Sequence, residues 1–505
     1  MTSTSPQPHA PLWLMILLQA TVSAASMVVE IVAGRMIAPY VGMSLYTWTA
    51  IIAVVLAGLS VGHWWGAALD TRRALRRAAW CMVAAALATA GASLLLRATA
   101  GPVLEALTHP LAAITAISSL AFFLPSLFAG VPAPILSVAA MRGREKSEQA
   151  LGAMFAAGAV GAIAGTLLAG FLFVAWLGSV ASLTVIAAVY AVSALVCLGL
   201  AGGSRGQWAT VGGTLVLALV LGVSALRLPA VCDRESSYFC IRTVELSDDA
   251  EAPVRLMVLD HLAHGISARE DPRVMFTDHT AMLDALPRMR MGDRDFTSFH
   301  IGGGSYSVPR AWADRGITGI TVAEIDPDVT ARAVADFWFD ADTVTVLHRD
   351  ARTALRDSAA PYDVIIGDAF TDIAVPEHLV TREFFQLVSD RLSPGGVYAM
   401  NLIDSTDRLD ALAAIVTTLR AVFPSVEVWT EARPPAPGER RIFVLLAGDE
   451  DSPVSMITTR APQEIRFAAL GPGFIDSVLA AKDPMILTDD HAPVSRLMGL
   501  DPVID

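Results

Sequence analysis

The chain has 505 residues, 54% of them hydrophobic, and a mean hydropathy of +0.53. That is too apolar for a soluble enzyme and long enough for more than one domain, with the apolar excess confined to the first half. A net charge of −13 offers no basic face for phosphates, which excludes nucleic acid as a partner and leaves a solvated acidic surface.

Apolar runs cover Leu12–Ala33, Thr47–Ala67, Ala78–Leu96, Leu111–Met141, Ala150–Leu177, Val180–Leu200 and Trp208–Leu226. Each is long enough to cross a hydrocarbon core of about 30 Å, which takes about 20 residues. The pattern predicts seven spans within residues 1–227. The fourth is overlong and carries Pro125, Pro132 and Pro134, so a break there would make eight. The N-terminus lacks the basic region of a signal peptide. Arg72, Arg73, Arg76 and Arg77 follow the second span, Arg142, Arg144 and Lys146 the fourth, and Arg205 the sixth. The positive-inside rule puts these loops and the N-terminus in the cytoplasm, and an odd number of spans then puts everything after Leu226 outside, in conflict with a cofactor made in the cytosol, so the sequence leaves the side of the C-terminal domain unresolved. The expectation is a multi-pass protein of the cell (inner) membrane, with the lipid bilayer as its surroundings. Glu30 and Arg35 near the end of the first span read as a structural pair, with Asp70 at the end of the second. The glycines and alanines of Gly152 to Gly170 read as helix-packing surface.

Cys81 and Cys197 lie in apolar segments, and no zinc-type spacing is present. Cys232 and Cys240 flank a strand-like stretch; a bond between them suits an outside location, and two free thiols are equally compatible with the sequence. Residues 228–290 form a linker and small β region. Tyr238–Leu246 and Val254–Leu259, separated by the acidic SDDAEAP, predict an antiparallel hairpin. Asp260, His261, His264, Asp278 and His279 lack the spacing of a metal site, so the histidines are read as lining the mouth of a cofactor cleft, and no metal is expected.

Residues 291–505 carry the chemistry. His300 to Asp326, HIGGGSYSVPRAWADRGITGITVAEID, predicts a strand, a turn at Gly302, Gly303 and Gly304, a helix, and a second parallel strand tipped by Glu324 and Asp326. Glycines let the backbone approach a ligand at the switch point of a doubly wound sheet, and an acid at the next strand tip accepts hydrogen bonds from ribose hydroxyls. Tyr306, Ser307 and Pro309 break the register that a pyrophosphate needs. A phosphate-free nucleoside such as an S-adenosyl sulfonium fits better. Thr343–Leu347, Asp363–Gly367, Val397–Asn401, Val426–Thr430 and Ile442–Ala447 predict five more strands, giving a seven-stranded, mostly parallel sheet. Asp350 with Ala351 falls at the adenine edge and Asp368 at the carboxyl end of the fourth strand, both also positions where an acid caps a following helix. The fold class is an α-helical transmembrane domain followed by an α/β Rossmann-like methyltransferase-type domain with a small N-terminal β-hairpin region.

The segments IGGGSYSVPR, VAEIDPD, RDAR, YDVIIGDAFTDIAVPEHLVTREFF and LSPGGV, in this order, resemble the spermidine synthase (polyamine aminopropyltransferase) family, in its bacterial form fused to a multispanning membrane domain. The resemblance covers about residues 235 to 450. It implies that Gly302 to Gly304 approach the nucleoside, that Glu324 holds the ribose hydroxyls, and that Asp350 and Ala351 hold adenine; Asp326, beside Glu324 at the strand tip, is read from its position as a further cofactor-side acid. Asp368 becomes the general base or the carboxylate that positions the amine. The co-substrate implied is decarboxylated S-adenosylmethionine, the partner a putrescine-like amine, and the soluble relatives assemble as homo-oligomers. The departures are Ser305 where the family carries Asp, His264 where it carries Gln beside the cofactor, His279 where it carries Tyr at the amine gate, and Asp372 as an approximation to a second catalytic-loop Asp. Two rival readings use the same residues: a methyltransferase acting with S-adenosylmethionine itself, and a transporter or sensor regulated by a nucleoside-binding domain. The turn Thr488–Pro493 either closes over the site or opens a helix.

Overall fold

The computed structural model describes residues 11–69, 73–142, 144–370 and 375–500; Asp70, Arg72 and Asp372 lie outside the described residues. The chain divides into two compact units, Met1–Val231 and Cys232–Asp505.

Among the described residues of the first unit seven helices are long and apolar enough to cross a membrane: Leu12–Val41, Leu45–Ala68, Ala74–Ala106, Pro110–Met141, Ser147–Leu177, Ser179–Leu200 and Arg205–Arg227. The prolines do not split the fourth span. It passes through a π-helical turn at Ser119–Phe123, and Pro125 and Pro132 fall in the first turns of the segments that follow, where a missing N–H is tolerated. Small residues bring the helices together. A Cβ at Gly161 or Gly165 would stand 2.2 Å from the carbonyl oxygen of Ala20 or Ala24 in the first span, so the stretch from Gly152 to Gly170 does contain a close-packing face. Phe155, Phe171 and Trp176 on the fifth span point outward, an apolar surface of the kind a bilayer covers.

The second unit opens with an antiparallel sheet of four strands in sequential order: β1 (Arg234–Glu235), β2 (Cys240–Glu245), β3 (Val254–Leu259) and β4 (Leu262–Ala268). The expected hairpin is β2–β3. Cys232 and Cys240 are disulfide-bonded across its edge, which settles the pairing that the sequence left open.

The main sheet holds β5 (Ser298–Ile301), β6 (Ile320–Ala323), β7 (Thr345–Leu347), β8 (Tyr362–Gly367), β9 (Leu392–Ser405), β10 (Ser425–Glu431), β11 (Arg440–Gly448), β12 (Met456–Thr459) and β13 (Ile465–Ala469). Their order is β12-β13-β10-β11-β9-β8-β5-β6-β7. The expectation of seven mostly parallel strands is corrected: among the described residues there are nine, of which β5 to β9 run parallel. The segment between β10 and β11 is too short for a crossover, which takes a dozen residues or more, so these two strands pair antiparallel. β12 and β13 extend that antiparallel half. Two apolar cores cover the sheet, one around Phe384, Phe385 and Leu419, the other around Trp312, Phe337 and Trp429. The chain order reverses about β5, with β6 on one side and β8 on the other, and the crevice at that switch point is where a doubly wound sheet binds its ligand.

Candidate active site

The glycine turn follows β5 because three crowded neighbours leave no room for side chains. Gly302 has φ +91°, and a Cβ there would stand 2.5 Å from the Asp368 carbonyl oxygen; at Gly304, φ +51°, it would stand 2.8 Å from that of His264. Glu324, after β6, ties this turn to the next strand. Its carboxylate accepts the Gly303 N–H at 2.8 Å and the Asp326 N–H at 2.9 Å. Burial raises its pKa above the ordinary range, against the opposing pull of those N–H bonds.

These residues line a cavity of about 650 Å³ together with His264, His279, Asp350, Ala351, Asp368, Asn401 and Arg440. The structure therefore gathers the three glycines, Glu324, Asp350, Ala351, His264, His279 and Asp368 around one space. Asp350 caps the helix Ala351–Arg356 by accepting the Thr353 N–H at 2.8 Å, and its other oxygen meets His378 Nε2 at 2.9 Å. Burial opposes its ionisation, but these bonds outweigh that and hold its pKa below the ordinary value. Capping and lining thus coexist at Asp350. Asp368 accepts a bond from Asn401 Nδ2 at 2.9 Å. His264, on β4, bonds through Nδ1 to the Leu262 carbonyl, and burial lowers its pKa, which keeps the imidazole neutral at neutral pH.

Asp326 is a correction. It is only 1% exposed, does not line the cavity, and spends its carboxylate on the Asp328 N–H and the Ser236 hydroxyl, capping the helix Pro327–Asp336. Asp before a Pro at the first helical position is a cap signal, and here it wins over the ribose role. Asp372 lies outside the described residues. Ser305 sits under Gly265 with its hydroxyl 2.7 Å from that of Ser307, so it is packed rather than aimed into the main cavity. The tail turn does not line the main cavity; it opens a helix, which begins at Val494 directly after Pro493. Asp489 grips Arg352 through both oxygens at 2.7 Å and accepts from the Thr381 hydroxyl.

Asn401, His378 and Arg440 are among the lining residues that escaped the sequence reading. Asn401 is 3% exposed, and its Oδ1 is buried without a hydrogen-bond partner. A lone amide in an otherwise apolar strand was the available signal.

Residues 314–454 match the family profile described as the spermine/spermidine synthase domain, so the C-terminal part of the chain carries such a domain. The match takes in Glu324, Asp350, Asp368, Asn401 and Arg440 and begins after the glycine turn. The chain is 32% identical over 215 residues to a probable polyamine aminopropyl transferase of Bifidobacterium longum, covering 39% of this chain and 47% of that protein. It is 34% identical over 144 residues to an N-terminal histidine N-methyltransferase of Emericella nidulans, covering 27% of this chain and 25% of that one. A probable spermidine synthase structure from Corynebacterium glutamicum aligns with a TM-score of 0.43 and 19% identity, covering 50% of this chain and 94% of the other. The chain spans about half the length of the aminopropyl transferase it matches.

Proposed function

We propose that this chain is a membrane-bound aminopropyltransferase, moving the aminopropyl group of decarboxylated S-adenosylmethionine to putrescine or a related small amine and releasing methylthioadenosine. The observation that carries the reading is the seat of Asp368. It lies at the carboxyl end of β8 beside the glycine turn, oriented by Asn401, in a cavity whose other side holds Glu324 and Asp350. In the displacement the amine lone pair bonds to the carbon beside the sulfonium, the carbon–sulfur pair returns to sulfur, and sulfur leaves as a neutral thioether. A protonated amine has no lone pair to give. Asp368 binds the ammonium and takes its proton as the bond forms. Glu324 serves the ribose, Asp350 and Ala351 the adenine, and neutral His264 adds no positive charge beside a cationic donor.

The test is mass spectrometry of the nucleoside product after incubating the detergent-solubilised chain with an amine mixture containing putrescine and either donor. Methylthioadenosine from the decarboxylated donor is the expected result. S-adenosylhomocysteine from intact S-adenosylmethionine would overturn it in favour of a methyltransferase, the second reading, which the Emericella relative supports. No product from either donor would favour a transporter or sensor.

We place the catalytic unit on the face opposite the basic loops. The cationic clusters follow spans two, four and six, the unit follows span seven, and the disulfide next to that span suits an oxidising compartment. Donor and acceptor then have to be supplied on that face. Alkaline phosphatase joined to the C-terminus should be active and green fluorescent protein there dark in a bacterial host; the reverse pattern would put the unit in the cytoplasm.

A further inference from the structure

We infer that the Cys232–Cys240 disulfide latches a lid on the nucleoside seat: it holds Tyr238 and Phe239 against the cavity, and opening it loosens that wall and weakens nucleoside binding. The inference rests on the reading of the cavity as a nucleoside seat and adds a control on it. Between the two cysteines the chain makes a small hairpin. Arg234 and Glu235 pair with Ile241 and Cys240, and the turn that follows is built on Ser236, whose hydroxyl oxygen accepts the Phe239 N–H at 2.8 Å and the Tyr238 N–H at 3.0 Å. Ser236 is 3% exposed, and its hydroxyl donates to the Asp326 carboxylate. Asp326 stands two residues beyond Glu324 and gives its N–H to the Glu324 carboxylate at 2.9 Å. The hairpin tip therefore sits on the end of β6, and Tyr238 and Phe239 line the cavity on the side of Glu324 and Ile325.

The hairpin depends on the bond because its own attachments are weak. Its pairing with β2 is two residues long, and its ion pairs to the helix Pro327–Asp336, Asp233 with Arg332 at 2.6 Å and Arg234 with Asp328 at 3.1 Å, are solvated, where such pairs contribute little. The other end of the bond is fixed. Cys240 is 2% exposed and exchanges two hydrogen bonds with Asp260: its N–H goes to the Asp260 carboxylate at 2.9 Å, and its carbonyl accepts the Asp260 N–H at 2.8 Å. Asp260 joins β3 to β4, and Leu259, Leu262 and His264 on these strands line the same cavity. The disulfide thus ties Cys232, which is half-buried, to a rigid point of the site. With the bond open, the loop gains conformational freedom that a bound nucleoside must take back. The opening step takes a dithiol. Its two thiols give up two electrons and two protons to the Cys232–Cys240 bond, which becomes two cysteine thiols while the reductant closes to its own disulfide.

The experiment titrates methylthioadenosine calorimetrically into the full detergent-solubilised chain, with the bond closed and after dithiothreitol has opened it. Peptide mapping of alkylated cysteines reports the state of the bond, and far-UV circular dichroism reports the fold. We expect reduction to weaken binding at least about tenfold, the order of loss when several side chains must be ordered on binding, and reoxidation to restore it. Tyr238→Ala combined with Phe239→Ala in the oxidised chain should cost a similar factor. Reduction of that variant should then cost less than about twofold, because the bond and the wall act as one unit and the wall is already gone. Equal affinities with the bond shown to be open, or an undiminished cost of reduction in the Tyr238→Ala, Phe239→Ala variant, would overturn the inference and leave the nucleoside reading standing. Loss of the fold on reduction would also overturn it, making the bond a structural staple. An oxidised chain that binds no methylthioadenosine would overturn the nucleoside reading and the lid with it.

Discussion

Asp368→Asn is expected to lower turnover by about 10²- to 10⁴-fold, the range that a general base contributes, while nucleoside affinity stays nearly unchanged. The amide keeps the size of the carboxylate and retains an oxygen that can accept from Asn401, so the end of β8 keeps its geometry. What it loses is the negative charge that holds an ammonium and the basicity that removes its proton. The groups proposed to hold the nucleoside lie on other strands: Glu324 after β6, and Asp350 at the head of the helix that follows β7. Their contacts are made without Asp368. The measurement is paired, with methylthioadenosine formation under saturating donor and calorimetric binding of methylthioadenosine. Lost turnover with intact binding supports the role. A parallel loss of binding would mean that Asp368 holds the nucleoside and that another group takes the proton.

Some of this site could be read from the sequence because it is local. A glycine turn after one strand and an acid after the next need only a short stretch of chain, so Gly302 to Gly304 and Glu324 stood out together. Asp326, two residues on, belonged to the same run of acids, and only its place before Pro327 marked it as a cap. Asp350 was legible both as cap and as lining, and the structure keeps both roles. Residues assembled by topology were harder. Asn401 sits inside a buried strand where the run VYAMNLID gives no face to the amide until β8 is paired beside it. Arg440 follows the turn sequence RPPAPGE and reads as solvated. Its meaning comes from the antiparallel return of β11, which puts the head of that strand on the ligand edge. The same return hid the sheet's true size. MITT and IRFAA are short and weakly apolar, and they become strands only because β10 offers an open edge. The long apolar helices of the first unit were the easiest to read, since length and apolarity are local properties. The disulfide was not, because an eight-residue separation allows a bond without requiring one.

Glu324→Gln should weaken nucleoside binding by about two orders of magnitude and remove its dependence on acid pH. Two effects add. Ribose hydroxyls lose a charged acceptor, and hydrogen bonds to charged groups are worth about 1.5–3 kcal/mol, more than tenfold in affinity. The carboxylate also spends one oxygen on the Gly303 N–H and the other on the Asp326 N–H. An amide has a single oxygen, so its NH₂ group must face one of those donors and push the turn out of place. The pH behaviour follows from burial. Glu324 has its pKa raised above 4.5, so it takes up a proton on acidification sooner than an ordinary glutamate does. In the unaltered chain nucleoside affinity should therefore fall as the pH drops through that raised pKa, because the protonated form no longer offers a charged acceptor. Asp350, the other carboxylate on the nucleoside side, has a lowered pKa and titrates further into acid. Calorimetric affinities for methylthioadenosine, followed from neutral pH into the acid range in both proteins, check the argument. A fall in affinity that begins above the ordinary glutamate range and disappears in Glu324→Gln identifies the titrating group. The same fall persisting in the variant would assign it elsewhere and leave Glu324 with only the structural task of holding the glycine turn.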